Sequence, residues 1–234
     1  MTDFAALLQP DQGQPARMIQ IVGKAAYAGW LSAQPERVRA AANAARFEAK
    51  PGELLIAPGD AIGDWGVVLG DAENSSIWTL AGAAGRLPEG VYRLEDGNPG
   101  RMTLGWLLAH HRFDRYLAKA EAIPQRILLT NDPAAIPEMV RVADATALVR
   151  DLVNTPAADM GPAELQHRAE EVAKQFGAAV LVTKGHDLEV GYPMIHAVGQ
   201  AADKRHGPRL IEIEWGNPAH PRVAIIGKGV SFDS

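Results

Sequence analysis

The sequence predicts an α/β protein, and three observations carry that reading. Short apolar runs stopped by Gly, Pro or Asn have the length of buried strands. Between them lie Ala- and Leu-rich stretches long enough for three helical turns. A periodic segment near the middle is then followed by a second set of runs, which divides the chain.

In the first part, "ARMIQIVG" (16–23), "ELLIAPG" (53–59), "WGVVLG" (65–70) and "QRILLTN" (125–131) read as strands. Residues 34–49 and 100–116 read as helices. The segment 71–99 holds "DAENSS", "LPEG" and "EDGNPG"; it is turn-rich, with at most short strands.

After "TNDP", Asp132 caps a helix whose first turn holds Pro133, since proline lacks only an N–H that would be unpaired there. Val142, Ala145, Val149 and Leu152 recur as one apolar stripe, with Asp144 and Asp151 on the other side. These residues predict a helix over 134–154 that connects a smaller α/β domain, 1–133, to a second domain, 155–234.

Pro156 stops that helix because it disfavours helical geometry at Thr155. Gly161 and Pro162 start the next one, with Glu164 in its first turn, where a negative charge suits the helix dipole. Leu165, Ala169, Val172 and Phe176 form its stripe, and Gly177 its stop. Residues 178–185, 194–200, 209–216 and 222–229 read as strands. "LIEIEW" alternates, as a strand with one exposed face does, whereas "VAIIG" is continuous, as in a central strand covered on both faces.

Composition limits the function. The 234 residues are 47% hydrophobic and 22% charged, enough to bury a core. There is no cysteine, which removes disulfides and thiolate ligands and leaves oxygen and nitrogen for any chemistry. The formal charge is −5 without a long block of one sign, so nucleic acid has no electrostatic footprint. The start has neither a basic n-region nor an apolar core of signal-peptide length, and no stretch reaches the roughly 20 apolar residues of a membrane span. The expectation is a cytoplasmic protein.

Seven histidines invite a metal hypothesis, but no H-E-x-x-H occurs, and adjacent His110 and His111 point in different directions on any regular element. "GKG" (227–229) lacks the spacing of a phosphate loop. Lys228 and Asp233 straddle the turn after the last apolar run. Two readings stand: turn residues beside glycine, or an amine and a carboxylate that converge on a metal. Lysine coordinates only after losing a proton, which burial and adjacent cations favour.

Three motifs bear on that choice: "LVRDLVNTPAADMGPAEL" (148–165), "HAVGQAADKRHGPRLIEIEW" (196–215) and "PRVAIIGKGVSFDS" (221–234). Their order and spacing resemble the leucyl aminopeptidase family of dinuclear metallopeptidases. The resemblance implies a smaller N-terminal α/β domain, a connecting helix, a catalytic domain with a central mixed sheet, and a homohexamer. It also implies Lys228 as ligand to one metal and Asp233 as bridge between two, the ions being manganese, zinc or magnesium. They would activate a water and cleave N-terminal, leucine-like residues from peptides.

Where the family commonly reads N-T-P-A-N-D and V-G-Q-G-S, this chain has Ala158 and Ala201–Ala202. The family also continues past this point with a second lysine, further carboxylates and an arginine. The expectation is therefore an incomplete catalytic domain, with no catalytic residue beyond the two ligands, that is inactive alone. The alternatives are a non-catalytic ligand-binding module in 1–133 and a purely structural subunit.

Overall fold

The computed structural model describes residues 2–71, 75–118 and 124–231. The chain forms two compact units, Met1–Arg150 and Asp151–Ser234.

The first unit runs β1 (Leu8–Pro10), β2 (Arg17–Gly23), α1 (Tyr27–Ala33), α2 (Glu36–Ala44), β3 (Leu54–Pro58), β4 (Trp65–Asp71), α3 (Ala81–Ala84), β5 (Gly90–Leu94), α4 (Met102–Leu108), β6 (Arg126–Thr130) and the start of α5 (Ile136–Asn154). Its six strands form one mixed sheet in the order β1-β6-β5-β2-β4-β3. Only β3 runs antiparallel, against β4.

Both faces of that sheet are covered, which explains why its strands read as continuous apolar runs. Along β4, Val67 and Leu69 enter one cluster with Trp106, Tyr92 and Leu128, while Val68 enters the other with Phe47, Ala42 and Leu55. The alternation is that of successive side chains on a pleated strand.

Four strands of the first part lie where the sequence puts them, and α2 falls within the helix expected over 34–49. The turn-rich 71–99 also holds α3 and β5, and β5 is interior to the sheet. The helix expected over 100–116 ends at Leu108. There the His110 ring takes the Trp106 carbonyl through Nδ1 at 2.9 Å, and the His110 N–H turns to the Leu107 carbonyl instead. A side chain that competes for the carbonyl used by the next helical turn weakens that turn and favours the tighter bonds with which α4 closes.

Asp132 does not cap α5 with its side chain. Its N–H donates to Thr130 Oγ1 at 3.1 Å, and a 3₁₀ turn, Pro133–Ala135, leads into the helix. The buried face of α5 also differs from the predicted stripe. Ala143 and Ala147 are buried and Ile136, Met139 and Val140 pack with them, whereas Val142 and Val149 are 37% and 57% exposed. Alanine is weak in a hydrophobic pattern, yet its small side chain lets a helix sit close to a sheet.

The second unit contains α6 (Pro162–Phe176), β7 (Ala179–Lys184), α7 (His186–Gly191), α8 (Pro193–Gly199) and β8 (Arg209–Glu214). Gly177 stops α6 at φ +66°, as expected. β7 and β8 pair antiparallel, with Val180 opposite Ile213. Residues 194–200 are helical rather than a strand: Pro193, with its preset φ, stands at the first helical position. The run 222–229 forms no strand, and Ile225 and Ile226 are each 94% exposed. A strand needs ladder partners, and the described residues place none beside this run.

His110 is 2% exposed, and burial, helped by the Arg126 charge, holds its imidazole below the ordinary value of 6.5. The unfolded chain therefore binds a proton that the native state refuses. Stability is expected to be complete above 6.5 and to fall as pH drops from there towards the lowered native value. Urea midpoints between pH 5 and 8 check this: His110→Gln should flatten the acid-side decline, and an unchanged slope would refute it.

Candidate functional site

Two of the three motifs meet in the second unit. Thr155 closes α5 by donating from both its N–H and Oγ1 to the Asp151 carbonyl, at 3.1 and 2.7 Å. Pro156 then prevents another helical turn, and the chain bends through Asp159 N–H to the Pro156 carbonyl. At the start of α6 the Glu164 carboxylate accepts the Gly161 N–H at 3.2 Å.

The same carboxylate reaches the second motif. Arg205 donates to Glu164 Oε1 from Nε at 3.1 Å and from Nη2 at 2.6 Å, and His206 Nδ1 stands 3.8 Å from Oε2. The Arg205 guanidinium, reinforced by backbone hydrogen bonding, holds the Glu164 carboxyl below the usual carboxylate range. Asp203 shapes the loop: its Oδ1 accepts the N–H groups of Arg205 and His206, which lowers its own titration in turn. Arg209 completes the clasp, donating to Gln166 Oε1 at 2.6 Å. A Cβ at 161 would lie 2.0 Å from His206 Nδ1, so any larger residue there has to push the His206 ring aside.

The sequence singled out Glu164 for the helix dipole and missed Arg205, Arg209 and Gln166. No local spacing signals a pair 41 residues apart.

The third motif follows, and its described residues, 221–231, form no regular element. Lys228 is exposed on it. Its neighbour Gly229 rests on α6, where an added Cβ would be 3.5 Å from Leu165 Cδ2. Lys228 thus lies near the first turns of α6. Asp233 lies outside the described residues. Divalent ions take about four to eight donors. Among the described residues no three His, Asp or Glu side chains are grouped to hold one, so these residues alone do not fit a two-metal site. No helix among them is long and apolar enough to cross a membrane.

Comparison with known proteins agrees with the motifs. Residues 147–234 match the catalytic domain of the cytosol aminopeptidase family, and residues 18–129 match the M17 aminopeptidase N-terminal domain. A probable cytosol aminopeptidase of Methylorubrum extorquens is 32% identical over 228 residues, covering 85% of this chain and 45% of its own. The crystal structure of cytosol aminopeptidase from Coxiella burnetii superposes with a TM-score of 0.80 at 28% identity, over 92% of this chain and 47% of that one. The bottromycin maturation enzyme BotP, in complex with Mn, gives 0.65 at 26% identity, over 87% and 46%. The chain spans about half the length of these relatives. With matches to both domains of one family in the right order, the chain belongs to the cytosol, or leucyl, aminopeptidase family.

Proposed function

We propose that these residues are part of a metal-dependent aminopeptidase that releases leucine-like N-terminal residues from peptides through a water activated by two divalent ions. The match of residues 147–234 to the family's catalytic domain carries this reading, because it includes the "GKGVSFDS" motif. Lys228 and Asp233 are proposed as the ligands this chain contributes, with the remaining donors supplied by the rest of the protein. Manganese is favoured by the Mn complex of BotP, with zinc and magnesium as the other candidates. The proposal includes the layout 1–133, 134–154 and 155–234, a homohexamer and a cytoplasmic setting.

The test is hydrolysis of a leucine chromogenic amide by the complete protein before and after chelation. Activity should disappear with chelator and return with Mn²⁺ or Zn²⁺. The 234-residue chain alone should hydrolyse nothing, since Lys228 and Asp233 are only two of the donors that a two-metal site needs. Hydrolysis indifferent to chelator would overturn the reading.

A further inference from the structure

The first unit contains a cavity of about 180 Å³ beside the C-terminal end of β6. Open α/β sheets place ligands beyond the carboxyl ends of their strands. Leu8, Ile136 and Met139 give this cavity an apolar wall. Thr103 and Thr130, 3% and 5% exposed, add hydroxyls, and Arg101 and Asp132 add one charge of each sign.

Both charged side chains are exposed, and neither is neutralised among the described residues. Arg101 spends Nη2 on the Ser75 carbonyl, at 2.6 Å, and has no anionic partner among the described residues. Asp132 engages Thr130 through its backbone N–H, which leaves its carboxylate without a partner among the described residues. Nor are Arg101 and Asp132 paired with each other. A ligand that satisfies both must carry an anion and a cation, together with an apolar part for the wall. At about 30 Å³ for each liquid water, the volume equals about six waters, which suits one amino acid and is too small for a nucleotide.

We propose that this cavity binds a free α-amino acid with an apolar side chain. Its carboxylate meets Arg101, its ammonium meets Asp132, and its side chain lies against Leu8, Ile136 and Met139. Such a molecule is also what the proposed activity would release, but the inference rests on the cavity alone.

The experiment titrates L-leucine into this chain in the presence of chelator, which separates the cavity from any metal-dependent site. Calorimetry should show one saturable event with a Kd below about 1 mM. Backbone amide shifts should centre on Thr103, Thr130 and Met139. N-acetyl-leucine lacks the cation and leucinamide lacks the anion; each should bind at least about 10-fold more weakly. Arg101→Met and Asp132→Asn should each weaken L-leucine by a similar factor, with circular dichroism confirming that these exposed substitutions leave the fold intact. No saturable binding, or equal binding of all three ligands, overturns the proposal.

Discussion

Lys228→Ala in the complete protein is expected to lower kcat/KM for a leucine amide by at least about 100-fold. Partners in the outer shell of a metal site already cost 10- to 100-fold, and a direct ligand should cost no less. Metal content, measured after dialysis, should fall together with activity, because the amine is proposed to hold one of the ions. Arginine should not rescue the lysine, since its guanidinium does not deprotonate to give a lone pair. Asp233→Ala should behave in the same way and remove metal more completely, as expected of a bridging carboxylate. The melting of the first unit should not move, because Lys228 is exposed in the second. Wild-type activity and metal content in both variants would exclude these residues as ligands.

Trp106→Ala is expected to destabilise the first unit by about 3–5 kcal/mol, the usual cost of emptying a buried tryptophan site. Trp106 is fully buried; its ring lies 5.7 Å from that of Tyr92, and its Nε1 donates to the Arg126 carbonyl at 3.1 Å. The substitution therefore opens a cavity where α4 packs on the sheet and removes a buried donor. Against a total of about 5–15 kcal/mol this is a large loss, equivalent to about 10 °C in Tm for a unit of this size. Thermal melts followed by circular dichroism check it, with Trp78→Ala as the comparison. Trp78 is 49% exposed and should cost far less. Equal shifts for the two variants would mean that α4 is not anchored through Trp106.

The parts of the fold that the sequence predicts well are those where local chemistry is decisive. β4 and β6 carry unbroken apolar runs, β2 is interrupted only by Gln20, whose amide is held by Glu95 and Trp30, and α6 carries its own start and stop. β5 was obscured because an interior strand here contains Arg93. That charge is tolerated through partners distant in sequence: Asp11, 3.3 Å away, and the Gln14 carbonyl. The clasp of Glu164 with Arg205 was hidden for the same reason. The order and spacing of the motifs were enough to identify the family, whereas the ligand roles of Lys228 and Asp233 remain what is proposed from it.

Helix α5 shows the division within a single element. Its two apolar stripes are both written in the residues, as are the strand-helix alternation and the order of the three motifs. Tertiary packing chose Ala143 and Ala147 over Val142 and Val149, and among the described residues gave 222–229 no strand partner. Helix starts, stops and periodicity depend on neighbouring residues, which the sequence states directly. Burial and sheet pairing are properties of contacts between distant residues, so only the folded chain decides them.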